Sequence, residues 1–494
     1  MGNASGRSGT AWIPRIWPAA ASGLLVLACF PPVGLGLLVF AALVPWLRYL
    51  RECDGKRAFR SGLLFGFIFW LGELSFVGQF VAHWTDSFFL GWIPYLIGCC
   101  IGSLYFGLFG WLANACYRCS ALWAVPVVWA GVEVFRSYVV GLAFPFGLLA
   151  MPLTAAPALI QSAHYGSVYF TSAWVLLANV AIAEVMAGKA YAQIRWYALA
   201  FVFVLAGSTA RYASEPVGEF RRVVAGQPGI DMAFGDQSLT DARIGNAIDR
   251  ISVDAMGADL LALPEGIVRA DDELPPPHRF RVDRRLPVVF GGQRGSQPGH
   301  QSAFSFDGHW EAADKTRLVI FGEYVPFRNY LPFLDRFNLP GGDLQPGDRV
   351  TSLNVGKFKV GTALCFEALF PDVTYKHALN GSNILAVMSI DDWYFGTNAP
   401  EQLRDASNWR AIEMGVPVVR AASMGYTIIA DQRGRTVAAA PLHGTRSIGA
   451  TVRVSSGPDL FPLFPVFPYL SVLSLIALPV YFRLRKSGTP GTSS

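Results

Sequence analysis

Charge is what this chain has little of: Asp, Glu, Lys and Arg make up 15% of its 494 residues, against 52% hydrophobic. That balance is too apolar for an ordinary soluble protein. Its seven histidines (His83, His164, His278, His300, His309, His377 and His443) are scattered without paired metal-ligand spacing, so no metal site is expected. The sequence contains neither a phosphate-binding P-loop nor a G-x-S-x-G elbow, which removes two common nucleotide and hydrolase chemistries. Repeats, heptads and low-complexity tracts are also missing, apart from a polar tail at Ser487 to Ser494. No cofactor is indicated.

What is there is apolar sequence in long runs. A helix crossing the hydrocarbon core needs about 20 mainly apolar residues, because no water is present to satisfy the backbone. Such runs lie near Ile16 to Phe30, Gly34 to Leu50, Ser61 to Ala82, Phe89 to Cys116, Leu122 to Ser137, Val168 to Ala187 and Ile194 to Ala210, with another near Pro465 to Phe482. Arg7, Arg15 and the small residues Ala19 to Ser22 give the first run the look of a signal peptide, but the spans that follow favour an anchored helix. The expectation is a polytopic α-helical membrane bundle of about eight spans, with residues 1–211 as the N-terminal bundle and 461–494 as a closing helix and tail.

Basic residues are retained on the cytoplasmic side of short loops, and their placement here is lopsided. Arg48, Arg51, Lys56, Arg57 and Arg60 separate spans two and three; Arg118 follows span four; Lys189 and Arg195 join spans six and seven; Arg483, Arg485 and Lys486 follow the last span. The opposite loops, Pro31 to Val33 and His83 to Ser87, carry none. Both termini are therefore expected inside and residues 212–460 outside. Basic residues so placed do not indicate nucleic-acid binding.

After Ala210 the composition changes: charge, Gly and Pro rise, and short apolar runs alternate with polar helical stretches. Leu260 to Leu263, Leu286 to Phe290, Phe358 to Leu364, Ile384 to Met388 and Val416 to Val419 have the length and composition of buried strands. Asp241 to Met256 and Glu401 to Met414 fit helices between them, and Gln432 to Arg435 reads as a turn between two late strands. Alternating elements favour a layered α/β domain. Six of the seven cysteines (Cys29, Cys53, Cys99, Cys100, Cys116 and Cys119) fall in the spans or cytoplasmic loops; Cys365 alone is outside. A single thiol makes no internal disulfide, so Cys365 reads either as a buried small hydrophobe or as a functional thiol.

Three segments end in a reactive side chain: Asp259 to Glu265, with its terminal carboxylate; Asp314 to Pro326, with Lys315 and Glu323; and Gly361 to Glu367, with Cys365 and an acidic neighbour. In this order they resemble the nitrilase (carbon-nitrogen hydrolase) superfamily and its Glu, Lys, Cys triad. With multiple spans before and one after, the chain resembles the apolipoprotein N-acyltransferase family. The strings that carry the resemblance are Phe321-Gly-Glu-Tyr-Val-Pro-Phe327, Leu364-Cys-Phe-Glu367, Trp409-Arg-Ala-Ile-Glu413, Pro417-Val-Val-Arg420, Glu133 to Arg136 and Ala143-Phe-Pro-Phe-Gly147.

The resemblance implies a nitrilase-like α-β-β-α fold for residues 212–460, with Cys365 as nucleophile, Glu265 as general base and Lys315 as the cation facing the oxyanion. Glu323 and Glu367 match further acidic positions, where they either hold Lys315 or substrate or serve as structural carboxylates. Trp393, Arg136 and Tyr324 are candidate substrate contacts; Arg136 faces either a lipid phosphate or Glu133. It also implies an acyl chain passing from a phospholipid, typically phosphatidylethanolamine, through a cysteine thioester to the N-terminal amine of a diacylglyceryl apolipoprotein. The setting implied is a bacterial inner membrane with the catalytic domain periplasmic. A membrane-tethered amidase and a non-catalytic lipid-binding protein are the competing readings. Departures from the family pattern fall in the loop Ser389-Ile-Asp-Asp-Trp-Tyr-Phe-Gly396, at Gln402-Leu403 where a histidine is usual, at Phe234-Gly-Asp236 in place of a first-strand Gln-Gly-Asn, and at Val319-Ile-Phe-Gly-Glu323.

Overall fold

A computed structural model describes residues 17–188, 191–234, 237–270, 286–296, 298–330, 343–394 and 396–487. Arg7, Arg15, Lys189, Gly235, Asp236, residues 331–334, Phe395 and the tail at 488–494 lie outside the described residues.

The first part of the chain is helical: α1 (Trp17–Cys29), α2 (Val44–Glu52), α3 (Gly55–Glu73), α4 (Ser75–Thr85), α5 (Phe88–Arg118), α6 (Ala124–Tyr138), α7 (Ala163–Met186) and α8 (Tyr191–Ala213). Among the described residues three helices are long and apolar enough to cross a membrane, namely Phe88–Arg118, Ala163–Met186 and Val466–Arg485. The pair α3 and α4, bent by 50°, makes a fourth if it counts as one span. The run read as one span from Ser61 to Ala82 is this bent pair. The run from Gly34 to Leu50 is also not one helix: a 3-10 turn at Gly36–Phe40 precedes α2, where Pro45 sits in the first turn. Proline is tolerated there because its missing N–H has no intrahelical partner. The groups freed by this break are recovered by the buried Asn179 of α7, which accepts from Leu43 N (2.9 Å) and donates to Val39 O (2.9 Å). Buried backbone away from water needs such a substitute.

Close helix packing comes from small residues. A Cβ on Gly62 of α3 would lie 2.1 Å from Phe106 O of α5, and one on Gly66 2.8 Å from Ser103 Cα. The Gly62 and Gly66 pair thus has the spacing that lets two apolar helices touch backbone to backbone.

Two sheets follow. The first is formed by β1 (Glu219–Gln227), β2 (Leu260–Ala262), β3 (Val268–Ala270), β4 (Val288–Arg294), β5 (His300–Phe306), β6 (Trp310–Asp314) and a last strand, β13 (Arg446–Val454). Its order is β13-β1-β2-β4-β5-β6, with β3 beside β4. The second contains β7 (Leu353–Val355), β8 (Phe358–Leu364), β9 (Ile384–Ser389), β10 (Val418–Ala422), β11 (Ile428–Ala430) and β12 (Thr436–Ala439), in the order β12-β11-β10-β9-β8-β7. The first sheet opens with β1, which ends at Gln227, so Phe234 lies beyond it, and Gly235 and Asp236 are outside the described residues. The turn expected at Gln432 to Arg435 joins the antiparallel β11 and β12.

Strand alternation builds the layers. Ile384, Ala386 and Met388 of β9 join Val223, Ala225, Leu260 and Val289 of the first sheet in one core, while Leu385 and Val387 face the other way. Helix α9 (Gln237–Asp254) supplies Ile244, Ile248 and Ile251 to the outer side of the first sheet. Helices α10 (Pro371–Leu379) and α11 (Ala399–Met414) cover the second. The result is the expected α-β-β-α arrangement. The opposite face of α11, through Leu403, Ala406, Trp409 and Ile412, belongs to the same apolar core as the helical bundle. Helix α12 (Val466–Ser487) closes the chain against α6 and α7.

Candidate active site

The three reactive residues lie just beyond the carboxyl ends of strands: Glu265 after β2, Lys315 after β6 and Cys365 after β8. A strand end fixes the backbone and leaves the next side chain free to leave the sheet. Cys365 does so with φ of 49°, a left-handed value rare for a side-chain-bearing residue, at the start of the 3-10 turn Cys365–Leu369.

Lys315 Nζ donates to Glu323 Oε1 at 2.7 Å and to Glu265 Oε1 at 3.3 Å, and its side chain is wholly buried. The lysine backbone is fixed too: its N–H donates to Gln301 O (2.8 Å), and its carbonyl accepts from Gly347 N (2.8 Å). Glu323 Oε2 accepts Val319 N (2.9 Å), which leaves its other oxygen aimed at the lysine. Glu367 bridges segments: Oε1 accepts Thr316 N (2.7 Å), Thr316 Oγ1 (2.9 Å) and Arg317 N (3.1 Å), while Oε2 accepts Leu364 N (3.0 Å).

Burial raises the Glu265 carboxyl from 4.5 to about 7; Lys315 opposes the shift and Glu323 adds to it. Burial works against the Lys315 ammonium, yet the carboxylates of Glu265 and Glu323 outweigh it and hold the group well above its ordinary value. Burial and then Glu265 push the Cys365 thiol up to about 12, with Lys315 pulling the other way. The resting site is a neutral thiol beside a strongly held cation and a carboxyl that ionises near neutrality. Such a set can deprotonate a thiol during attack and stabilise negative charge on a carbonyl oxygen.

The candidate substrate contacts are placed differently from one another. Trp393, half-buried, packs against Phe80 (ring centroids 5.9 Å apart), Trp84 (6.1 Å) and Phe234 (5.3 Å). Tyr324 is half-buried, and its carbonyl accepts Phe321 N (2.8 Å). Arg136 is buried among backbone carbonyls: Nη1 donates to Phe144 O (2.8 Å) and Phe146 O (2.6 Å), and Nη2 to Gly147 O (2.9 Å). Glu133 instead accepts Trp129 Nε1 (2.9 Å) and Leu149 N (2.7 Å). Both charged residues therefore hold the strand of chain from Phe144 to Leu149.

Several residues at the site stand out in sequence only within stretches that depart from the family pattern, with no catalytic role assigned. Tyr394 packs on Phe76 and Phe80 of α4 (5.6 and 6.0 Å), and its phenol is raised by burial and then by Cys365 and Glu323, which puts it beside the reactive groups. Ser389, at the end of β9, donates to Asp391 Oδ1 (2.7 Å), and Asp391 pairs with the fully buried Arg420 (2.7 Å). Gln402 donates to Glu73 Oε2 at the end of α3 (2.7 Å) and accepts Gly147 N (3.2 Å). Its amide therefore links α11 to the bundle where a histidine was expected nearby.

Layered sheets with a Glu, Lys, Cys cluster at their strand ends define a carbon-nitrogen hydrolase domain, and residues 304–456 match the carbon-nitrogen hydrolase family model. Residues 22–181 match the model for the apolipoprotein N-acyltransferase N-terminal domain. The apolipoprotein N-acyltransferase of Geobacter metallireducens is 28% identical over 90% of this chain and 90% of its own. That of Caulobacter vibrioides is 29% identical over 87% of each. The chain is thus similar to apolipoprotein N-acyltransferases over most of its length. Nit3 of Saccharomyces cerevisiae, a nitrilase-superfamily structure, aligns over 57% of this chain and 98% of its own at 16% identity with a TM-score of 0.38.

Proposed function

We propose that the protein moves an acyl chain from a phospholipid, phosphatidylethanolamine being the expected donor, through a thioester on Cys365 to the N-terminal amine of a diacylglyceryl apolipoprotein. The observation that carries this reading is Lys315 held between Glu265 and Glu323 in a domain whose helix α11 shares its core with an apolar bundle. Cys365 Sγ attacks the ester carbonyl while Glu265 takes the thiol proton. Lys315 stabilises the tetrahedral oxyanion. The ester C–O bond then breaks, Glu265 returns the proton to the leaving lysophospholipid hydroxyl, and a thioester remains. The acceptor amine attacks that thioester, a proton passes to Glu265, and the thiol leaves with it.

In the same reading the bundle crosses a bacterial inner membrane about eight times, and residues 212–460 lie on the periplasmic side. The packing supports one direction. Basic Arg51 meets Glu184 near the end of α7 (3.9 Å), and Asn114, near Arg118, binds Leu50 O and Cys53 O (both 2.8 Å). The catalytic domain touches other ends: Glu73 of α3 and Arg211 of α8. Basic loops and catalytic domain thus occupy opposite faces of the bundle, as the positive-inside rule requires of an external domain.

The experiment is intact-mass analysis of the full chain incubated with phosphatidylethanolamine, then with a diacylated lipopeptide. The expected result is a fatty-acyl increment on wild type, none on Cys365→Ala, and its discharge onto the peptide amine. Discharge to water with peptide present would make the protein a tethered hydrolase; no increment on folded wild type would leave the lipid-binding reading.

A further inference from the structure

A buried contact between distant parts of the chain joins α11 to a break inside α7. At Gly166 and Ser167 the helix loses its geometry, and Ser167 adopts φ 70° and ψ 175°. Only glycine takes up that region readily, so a serine there is held by its surroundings. The restraint comes from the catalytic domain: Glu413 Oε1 accepts Ser167 Oγ (2.9 Å) and Val168 N (2.8 Å). Glu413 therefore caps the second half of α7 as an N-cap side chain would, supplied from another domain. Nearby, Trp409 Nε1 donates to Thr154 Oγ1 of the bundle (2.7 Å).

The same carboxylate pairs with Arg410, whose Nη2 lies 3.1 Å from Oε1 and whose Nε lies 2.8 Å from Oε2; both side chains are almost wholly buried. Arg410 Nη1 in turn donates to Leu369 O (3.4 Å), at the end of the turn that Cys365 begins. A continuous path of polar contacts thus runs from the strained residue of a bundle helix to the turn that presents the thiol. Arg410 and Glu413 sit about one turn apart on α11 with both charges buried, so the pair is kept within the helix, while the contacts of Glu413 to Ser167 and Val168 last only while the two domains keep their present register.

We infer that Glu413 and Arg410 are positioning residues, fixing the nucleophile turn against α7 so that the Cys365 thiol stands at a set height relative to an acyl donor held by the bundle. This rests on Cys365 being the acylated nucleophile. Glu413→Gln keeps an oxygen for Val168 and Ser167 and removes the charge that holds Arg410. Arg410→Lys keeps a charge and removes the reach to Leu369.

The test is the rate of acyl-thioester formation on the full chain in phosphatidylethanolamine nanodiscs, followed by intact mass across donor concentrations, with thermal unfolding measured alongside. Wild-type adduct formation tests the underlying reading by itself. For the variants, the rate at saturating donor is expected to fall about tenfold or more, because small displacements of a reacting group have large effects on rate. The donor concentration at half-saturation should stay near that of wild type. Ser167→Gly, which removes the strain and retains the Val168 contact, should react at the wild-type rate. A folded Glu413→Gln or Arg410→Lys chain with unchanged saturating rate and only a lower melting temperature overturns the inference. Failure of both to fold would equally overturn it, making the pair a folding element.

Discussion

Glu367 stands two residues after Cys365, yet three of its four hydrogen bonds go to Thr316 and Arg317, the residues that follow Lys315. Its fourth is to Leu364 N, immediately before Cys365. One carboxylate therefore ties the thiol segment to the lysine segment, and the distance between Cys365 and Lys315 depends on it.

Glu367→Gln puts an amide nitrogen where one oxygen had been, and either Leu364 N or the Thr316 pair then faces a donor. The expected outcome is a fall of about tenfold to a hundredfold in thioester formation. Cys365 should still react with iodoacetamide, which needs no Lys315. Parallel measurement of acyl transfer and alkylation checks this; equal losses in both would mean that the thiol itself has been displaced.

Removing the cation should act on stability as well as rate. Lys315→Met leaves Glu265 and Glu323 facing each other in a largely buried site, and breaking a buried pair in this way costs about 3–5 kcal/mol. Transfer should be abolished, and the melting temperature should drop. Glu323→Gln together with Lys315→Met should recover part of the stability and none of the activity.

The shifted carboxyl makes a signed pH prediction. As the proposed base, Glu265 would work only when ionised, and burial raises it to about 7, so the acylation rate should fall as pH drops through 7 and level off above it. Stability runs the other way: a carboxyl raised from 4.5 holds its proton more tightly folded than unfolded. Its contribution is therefore complete below 4.5 and lost as pH rises through about 7. Rate and unfolding profiles of wild type, compared with Glu265→Gln, separate the two effects.

How much of this was legible in sequence depended on whether the cause was local. The strand Phe358 to Leu364 and the helix ending at Met414 follow from short apolar runs and helical spacing, and both appear with nearly those bounds. Lys315, Glu323 and Glu265 were found by motif, and they meet in space. Strand β13 was missed although Ile448, Ala450, Val452 and Val454 alternate at period two on its inner side. The 3-10 turn before α2 reads in sequence as part of one span, and the break in α7 registers only as the start of a span at Val168; the residues that hold both, Asn179 and Glu413, are distant in sequence. Arg136 shows the same limit: its charge suggested a phosphate or Glu133, and the partners are three carbonyls whose positions only the fold supplies.

The position of Glu265 depends on a residue with no side chain. A Cβ on Gly291 of β4 would stand 2.7 Å from Glu265 Cα, 3.2 Å from its Cβ and 3.0 Å from Leu364 Cδ2. The strand cannot withdraw to make room, since Gly291 N donates to Pro264 O (3.0 Å) and Gly291 O accepts Ile267 N (3.0 Å), bonds on either side of Glu265. Gly291→Ala must therefore push Glu265 or Leu364. Overpacking of this kind costs about 1–3 kcal/mol, and the displacement should lower acylation by about tenfold or more. Gly245 on α9 has nothing within 4 Å of a Cβ, so Gly245→Ala should raise stability by up to about 1 kcal/mol and leave the rate unchanged. Thermal unfolding and adduct kinetics on the two variants decide the matter: wild-type acylation by Gly291→Ala would mean that the contact between β4 and Glu265 does not set the geometry of the base.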